Sequence, residues 1–193
     1  MKILKTNLEK IDESIINEAI EVMANGGVVL YPTDTVYGLG ANIFNKKAVK
    51  KVFELKKRIL TKPLSILVQN LEDIEIIAKI GSYERENINK YLPGPYTLIL
   101  NKKSVVSRTV TGGLRQVGVR IPDNNIARNL AKIFPITTTS ANLAGLEVHQ
   151  SIEDIINQLN GEVDLVIDVG TLKQSHPSTI IDLSTKELIY FER

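Results

Sequence analysis

Four short segments carry side chains that could do chemistry, and each lies within or directly after an apolar run. They comprise residues 31–40, 56–64, 118–122 and 137–145. The first and fourth are rich in threonine, serine and glycine, whose hydroxyls and free backbone amides suit a polar ligand. The second and third contain lysine and arginine, which bind phosphate and carboxylate oxygens. These residue types together indicate a site for an anionic, oxygen-rich ligand.

Each segment taken alone also has an ordinary structural interpretation. Asp34 can cap a turn, and the basic residues after Lys56 suit the negative end of a helix dipole. The segment that contains Ser140 can be the end of a strand followed by a helix N-cap. Arg120 lies inside an apolar strand and needs a partner, since a buried unpaired cation is costly. A structural ion pair of Arg120 with Asp34 or Asp123 would meet that need.

Composition excludes several classes of protein. The 193-residue chain has no cysteine, so it has no disulfide, thiolate metal site or cysteine nucleophile. Its histidines, His149 and His176, lack zinc-ligand spacing, and no metal site built from side chains is expected. The chain has no GxxxxGK[ST], GxGxxG or GxSxG motif. It also lacks a membrane-spanning run and a signal peptide, so the expected location is the cytoplasm.

Basic residues are unevenly distributed, although the net charge is only +2. Residues 46–62 hold eight basic residues and one glutamate, and residues 87–122 hold six basic residues and no acid. If the two segments meet in space, they form a cationic surface for a polyanion such as nucleotide phosphates or RNA. The lysines between 46 and 51 have a simpler interpretation as the solvated face of a helix.

Apolar periodicity predicts alternating helices and strands in a single domain, residues 1–193. The predicted helices cover residues 11–23, 46–55 after an Asn45 cap, 73–79, 82–92, 124–133 after a cap at Asp123 or Asn124, and 152–159 after Ser151. The predicted strands cover residues 28–31, 64–68, 96–100, 116–121, 134–139, 164–168, 178–183 and 187–191. This alternation is typical of an α/β fold with a twisted, mixed sheet.

Seven stretches, taken together and in order, resemble the YrdC-type threonylcarbamoyl-AMP synthases. They are Tyr-Pro-Thr-Asp-Thr-Val-Tyr-Gly-Leu-Gly from Tyr31, Lys-Lys-Arg from Lys56, Lys-Pro-Leu from Lys62, Pro-Gly-Pro from Pro93, Gly-Val-Arg-Ile-Pro from Gly118, Ser-Ala-Asn from Ser140 and Pro-Ser-Thr-Ile-Ile-Asp-Leu from Pro177. The combination is specific, although no single stretch is. The resemblance implies a YrdC-like α/β fold: an open, twisted mixed sheet with helices on its faces and a large cationic concave cavity.

The same resemblance implies a nucleotidyltransferase that makes threonylcarbamoyl-AMP and pyrophosphate from L-threonine, bicarbonate and ATP, with Mg²⁺ accompanying ATP. The implied product feeds a separate tRNA threonylcarbamoyl transferase complex, which completes N6-threonylcarbamoyladenosine at tRNA position 37. Threonine carbamate and ATP are both anions. Positioning and charge neutralisation, rather than a side-chain nucleophile, would therefore carry the rate.

The resemblance also implies two groups of contact residues. ATP binding is expected from Lys56, Arg58, Ser140, Asn142 and Gln150. Threonine binding is expected from Thr33, Arg120, Ser140 and Ser178. Lys56 and Arg58, expected at an exposed helix end, would be the catalytic pair that holds the phosphates and stabilises leaving pyrophosphate. Arg120 would pair the threonine carboxylate.

Three positions depart from the family pattern. Ile59 stands where members often carry proline, Tyr91 where many carry tryptophan, and Arg193 ends the chain in place of an Arg-x-Gly segment. An alternative function of the same fold is binding of tRNA or double-stranded RNA in the basic cavity without synthase activity. Product formation that requires both threonine and bicarbonate would favour the synthase, and steeply salt-dependent RNA binding would favour the alternative.

Overall fold

The computed structural model describes residues 1–9, 11–160, 162–173, 176–185 and 189–191. These residues form six helices and ten strands. The helices are α1 (Glu13–Ala24), α2 (Lys46–Leu55), α3 (Leu71–Ile77), α4 (Ser82–Tyr91), α5 (Asn125–Leu130) and α6 (Ile152–Gln158). The strands are β1 (Lys2–Lys5), β2 (Val29–Tyr31), β3 (Gly38–Gly40), β4 (Ser65–Leu67), β5 (Tyr96–Asn101), β6 (Gln116–Arg120), β7 (Ile136–Thr138), β8 (Leu165–Asp168), β9 (Thr179–Asp182) and β10 (Ile189–Phe191). Among the described residues, no helix combines the length and apolar character needed to cross a membrane.

The strands form two mixed sheets, with orders β1-β8-β2-β3 and β10-β9-β5-β6-β4-β7. In the first, β2 pairs parallel with β8 and antiparallel with β3. In the second, β6 pairs parallel with β4 and antiparallel with β5. Antiparallel bridges Gly38↔Ser140 and Asn42↔Ile136 join β3 to the β7 edge of the second sheet. The predicted α/β class is confirmed, and the predicted sheet is built as two sheets that meet along one edge.

Apolar side chains cover both faces of these sheets. In β2, Val29 and Tyr31 belong to the core that α1 and α5 cover. Leu30, between them, belongs to the larger core, which includes residues of α2, α3, α4 and α6. Successive side chains of a strand point to opposite faces, so the two cores lie on opposite sides. The helices therefore lie on both faces, as predicted.

Side-chain caps set most of the helix starts. The Asn45 side chain accepts hydrogen bonds from the backbone N–H groups of Lys47 and Ala48, both at 3.1 Å, which confirms the predicted cap of α2. Asn124 rather than Asp123 caps α5, and that helix ends at Leu130 instead of the predicted 133. Ile133 is 68% exposed, so the apolar pattern that suggested three further helical residues does not reflect burial.

The sequence pattern missed two strands, β1 and β3. β1 is mostly exposed and owes its extended form to parallel pairing with β8. β3 is Gly-Leu-Gly, and glycine normally weakens a strand. Here the Tyr31 ring packs against the two glycines. A Cβ added at Gly38 or Gly40 would meet that ring at 3.2 or 2.8 Å.

Of the predicted last strand, residues 189–191 are confirmed, and 187–188 lie outside the described residues. Arg193 also lies outside them.

Candidate functional site

Two adjoining depressions open along the strands of the larger sheet. One is a narrow recess with residues from β3, β6 and β7 in its walls. The other is a wide cavity of about 620 Å³, a volume typical of small-molecule sites. Ser65, Thr97, Ser140 and Pro177 line both depressions. A ligand in the recess would therefore lie directly beside a ligand in the cavity.

The recess brings together all four residues predicted to contact threonine: Thr33, Arg120, Ser140 and Ser178. They come from four different segments of the chain. The Ser178 hydroxyl lies 2.8 Å from the Thr97 hydroxyl, and the side chains of both residues are buried. The recess is thus lined by hydroxyl groups and one guanidinium, which suits a small polar ligand with a carboxylate.

The loop after β2 is organised around the Thr33 hydroxyl. This hydroxyl donates to the carbonyl of Val36 at 2.7 Å and accepts from the backbone N–H groups of Thr35 at 3.1 Å and Val36 at 3.2 Å. It also lies 3.0 Å from the Thr35 hydroxyl. Thr33 therefore shapes the wall of the recess as well as lining it.

Arg120 forms an ion pair with Asp34, one of the two partners that the sequence suggested. Its Nη2 donates to Asp34 Oδ1 at 2.5 Å and to the Thr35 hydroxyl at 2.9 Å. Both charged side chains are nearly buried, at 6% and 11% exposure. Asp123 contributes only its backbone N–H, which donates to Asp34 Oδ2 at 3.1 Å. Arg120 Nε is buried and has no hydrogen-bond partner among the described residues. A guanidinium has five N–H donors, so the ion pair leaves Arg120 with donor capacity.

The predicted exposed position of Lys56 is wrong, since this residue is only 1% exposed. Its Nζ donates to the carbonyls of Ser140 at 2.5 Å and Asn142 at 2.7 Å, and to Asn142 Oδ1 at 3.1 Å. An ammonium group has three donors, and these three acceptors match them. Lys56 thereby ties the end of α2 to the 140–142 turn. Its role as a phosphate ligand stays a prediction.

Arg58 leaves the end of α2 through a tight backbone turn. Lys57 has a φ of 48°, and the Arg58 N–H donates to the Phe53 carbonyl at 2.9 Å, as in a Schellman helix end. The Arg58 guanidinium donates to the carbonyls of Lys62 at 3.2 Å and Pro63 at 2.9 Å. Partial burial lowers the pKa of Arg58 from its usual value. Arg58 and Lys62 both line the wide cavity, where their charges can face a ligand.

Of the remaining predicted ATP contacts, two are at the cavity and one is elsewhere. Ser140 Oγ donates to Asn142 Oδ1 at 2.6 Å, and Asn142 Nδ2 donates to the Leu143 and Leu146 carbonyls at 2.9 and 2.7 Å. The Asn142 amide is thus largely occupied by its own loop. Gln150 lines neither depression in the described part of the chain, and its carbonyl accepts from the Leu172 N–H at 3.2 Å.

The charged side chains that line the wide cavity are of one sign among the described residues. Lys56, Arg58 and Lys62 line it, and no aspartate or glutamate is found among its described lining residues. Nor do the described residues contain a group of three histidine or acidic side chains that could hold a metal ion. Beside the recess, burial raises the pKa of Tyr37 to about 12, so this phenol is neutral at physiological pH. The site therefore offers positive charge and neutral donors, which suits phosphate.

Sequence reasoning missed Ser65 and Thr97 at the junction of the two depressions, and it gave Gly118 no role of its own there. Ser65 and Thr97 were interpreted only as parts of apolar strands, yet both line recess and cavity. Their signal in the sequence was a hydroxyl residue inside each apolar run. Gly118 lies between them, and a Cβ there would meet Ser65 Oγ at 2.8 Å and Thr97 Cγ2 at 3.1 Å. The absence of a side chain at Gly118 thus leaves room at the junction.

The chain belongs to the Sua5/YciO/YrdC family, whose description is "Telomere recombination" and which matches residues 21–192. A relative from Methanocaldococcus jannaschii is 40% identical over 189 residues, 98% of this chain and 89% of the relative. A Pyrococcus abyssi relative named threonylcarbamoyl-AMP synthase is 39% identical over 95% of this chain, which spans only 55% of that protein. A Cellvibrio japonicus relative with the same name is 31% identical over 90% of this chain and 94% of its own length.

Solved structures agree with this family assignment. P. abyssi Sua5 complexed with L-threonine superposes with a TM-score of 0.92 at 36% identity, covering 98% of this chain and 56% of that one. E. coli YciO superposes with a TM-score of 0.91 at 29% identity, covering 100% of this chain and 96% of its own. The fold is therefore that of the family over the whole chain.

Proposed function

We propose that this protein is an L-threonylcarbamoyladenylate synthase, a nucleotidyltransferase that uses L-threonine, bicarbonate and ATP. One observation carries the proposal. The hydroxyl-lined recess with Arg120 opens beside Ser140 and Thr97 into a cavity whose charged lining residues, among those the structure describes, are all basic. The threonine complex of a 36% identical structure and the names of two relatives support the same activity.

In the proposed arrangement, threonine occupies the recess. The buried Arg120 donates to its carboxylate while Asp34 holds Nη2, which fixes the orientation of the guanidinium. Val36 and Pro177 are the apolar residues of the recess that can pack the threonine methyl group. We expect serine to be used about fivefold less well, since packing one methyl group contributes about 1 kcal/mol.

ATP occupies the wide cavity, with Arg58 and Lys62 near its phosphates. The amine of threonine combines with bicarbonate to give a carbamate and water. A carbamate oxygen then attacks the α-phosphorus, the bond to the bridging oxygen of the β-phosphate breaks, and pyrophosphate leaves. No side-chain nucleophile is needed. The protein orients the two substrates, and its basic side chains neutralise the negative charge of the phosphates.

Mg²⁺ fits this scheme as a companion of the nucleotide. The described lining residues offer hydroxyl oxygens but no carboxylate, which is the protein ligand that Mg²⁺ commonly uses. ATP phosphates and water would thus supply most of its ligands. The product would pass to a tRNA threonylcarbamoyl transferase, and a cytoplasmic location stays a prediction.

The test is incubation with ATP, labelled bicarbonate and a panel of amino acids, followed by detection of the labelled adenylate. We expect threonine-dependent product and an equal amount of pyrophosphate. Pyrophosphate release that is the same without an amino acid would contradict the proposal. Absence of adenylate together with RNA binding that ATP displaces would favour the alternative of an RNA-binding protein that uses this cavity.

Arg58→Gln gives a second test, with Arg85→Gln as the matched control. Arg58 lines the cavity, whereas Arg85 is an exposed residue of α4 paired with Glu75. Loss of a charge-assisted phosphate contact removes about 1.5–3 kcal/mol, so kcat/KM for ATP should fall by about tenfold to a hundredfold. The control should keep wild-type kinetics. Equal kinetics in both variants would remove Arg58 from the proposed site.

A further inference from the structure

A second basic surface, hereafter the basic groove, lies apart from the candidate site. It is a depression of about 630 Å³ between α2 and the loop that follows β5. Its charged lining residues are Lys46, Lys47, Lys50 and Arg108. None of the described residues that line it also lines the recess or the wide cavity. The two acid-poor segments of the sequence therefore meet here, on a surface that the proposed reaction does not use.

The cations of the basic groove have no partner within the described residues. Lys51, on the same helix, forms an ion pair with Asp164 at 2.7 Å and links α2 to the residue that precedes β8. Lys46, Lys50 and Arg108, in contrast, are exposed and make no ion pair or side-chain hydrogen bond in the described part of the chain. No acidic residue is among the described lining of the groove. These charges are thus available to an external anion.

Fold stability does not account for this arrangement. Lys46 and Lys50 are four residues apart on one helix, where like charges repel each other. The first turn of α2 contains no acidic residue, and cations near a helix N-terminus oppose the helix dipole. The lysines therefore destabilise the isolated helix slightly. With a polyanion bound, the same lysines would stabilise the complex instead of destabilising the helix.

The chemistry of the basic groove fits a nucleic acid better than a protein partner. Its uncharged lining residues are Ser104, Ser107, Thr109 and Val105. Hydroxyl groups together with lysine and arginine are the side chains that contact phosphate oxygens and sugars. Protein interfaces have an apolar core, often aromatic, whereas Val105 is the only apolar residue among the described lining. Nucleic-acid interfaces are polar and strongly positive, as this surface is.

We infer that the basic groove binds the backbone phosphates of RNA, as an electrostatic surface separate from the nucleotide cavity. The exposed, unpaired cations would neutralise phosphates one by one, without reading bases. Such binding would hold an RNA close to the protein that makes an activated adenylate. The inference stands on the groove itself and does not depend on the synthase activity.

The test measures binding of a fluorescent tRNA transcript by anisotropy at several salt concentrations. The groove variant is Lys46→Gln, Lys50→Gln and Arg108→Gln combined. The control variant combines Lys5→Gln, Lys79→Gln and Lys90→Gln, which removes the same charge from exposed lysines outside the basic groove. Each phosphate contact contributes about 0.7–0.9 to the slope of log K against log salt. We expect the groove variant to lose about 2–3 from this slope and at least tenfold in affinity at low salt.

Three results would overturn the inference: no tRNA binding by the wild-type protein, equal losses in the groove and control variants, or complete displacement of tRNA by MgATP at constant ionic strength. The last would locate the RNA in the nucleotide cavity instead. Melting temperature and threonine-dependent pyrophosphate release serve as checks on folding. Pyrophosphate release should match the wild type in the groove variant, because its three residues lie outside the candidate site. The melting temperature should match the wild type or rise slightly, because Lys46 and Lys50 no longer repel each other on α2.

Discussion

Asp34 holds the guanidinium of Arg120 from behind the recess that Arg120 lines. The distance from Nη2 to Oδ1 is 2.5 Å, and the second oxygen of the same carboxylate accepts from the Asp123 backbone N–H at 3.1 Å. The carboxylate therefore fixes one end of the guanidinium and leaves buried Nε without a partner. The structural and the functional interpretations of Arg120 are compatible, because the ion pair uses Nη2 and leaves other nitrogens for the proposed ligand.

Asp34→Asn should destabilise the protein more than removal of an exposed ion pair. Loss of one partner of a buried pair leaves an uncompensated charge, so the free energy of unfolding should fall by about 3 kcal/mol. Glu13→Gln is the control, because Glu13 is 66% exposed and lies 3.2 Å from Lys132. It should cost less than about 1 kcal/mol. Denaturant unfolding measures both, and equal losses would show that the Asp34 carboxylate is not holding a buried cation.

Lys56→Met should loosen the 140–142 turn. Methionine keeps most of the length of the side chain but removes the donor to Ser140 O, Asn142 O and Asn142 Oδ1. Each buried acceptor left without a partner costs about 1–3 kcal/mol. We expect a total loss of about 3 kcal/mol of unfolding free energy, after some of the acceptors find other donors.

Lys57→Met is the matched control for Lys56→Met. Lys57 is the adjacent residue, and it is exposed. This substitution should leave stability within about 0.5 kcal/mol of the wild type. If Lys56→Met is as stable as the control and only ATP binding changes, Lys56 is a phosphate ligand rather than a positioning residue. Denaturant unfolding and an ATP titration on the same samples separate the two roles.

Sequence patterns predicted the features that depend on neighbouring residues in the chain. The Asn45 cap lies one residue before α2, and its hydrogen bonds are made within the same turn. Arg120 was recognised because an arginine between valine and isoleucine needs a partner, and the structure supplies Asp34. The residue types near the recess predict an anion site, but they do not predict its shape.

What the sequence did not predict depends on contacts between distant segments. The burial of Lys56 arises because its acceptors come from residues 140 and 142, which no local pattern connects to α2. β3 is a strand because β2 and the β7 edge supply hydrogen-bond partners to a glycine-rich segment. Gln150 was assigned to the nucleotide through the family resemblance. It is not among the described residues that line either depression, and its contact with the nucleotide stays a prediction.

Gly118→Ala should narrow the junction of recess and cavity. The added methyl group would lie 2.8 Å from Ser65 Oγ and 3.1 Å from Thr97 Cγ2, both closer than normal contacts. Overpacking of this kind costs about 1–3 kcal/mol, and displaced hydroxyls would disturb both depressions. We expect kcat/KM for threonine to fall at least tenfold, because small misplacements of substrate have large effects on rate.

Ser65→Ala tests the cause of that effect. In the Gly118→Ala background, removal of the Ser65 hydroxyl eliminates the closest contact and should recover part of the lost stability. The single Ser65→Ala variant provides the reference for a double-mutant cycle. Simple addition of the two losses in the double variant would show that the methyl group and the hydroxyl do not meet.

Tyr31→Phe should reduce the loss of stability at alkaline pH. The Tyr31 ring packs on β3 and its hydroxyl donates to Thr138 Oγ1 at 3.0 Å. Burial raises the pKa of Tyr31 to about 12, whereas an unfolded tyrosine titrates near pH 10. Between about pH 10 and 12 the unfolded state binds fewer protons than the folded state, so the free energy of unfolding falls as pH rises. The contribution is complete below pH 10 and is lost as the pH passes through the folded pKa.

The difference in unfolding free energy between the wild type and Tyr31→Phe is large enough to measure. A shift of about two pKa units corresponds to about 3 kcal/mol, so wild type and Tyr31→Phe should differ by that order in their decline between about pH 10 and 12. At pH 9 the variant should be about 1 kcal/mol less stable, since it lacks the hydrogen bond to Thr138. Because Tyr31 ionises in the unfolded wild-type chain at a lower pH than in the folded protein, the stability difference should shrink and then reverse as the pH approaches 12. Denaturant unfolding at each pH measures the free energy of unfolding of both proteins. If this free energy declined in parallel in the two proteins, Tyr31 would not ionise on unfolding in this range.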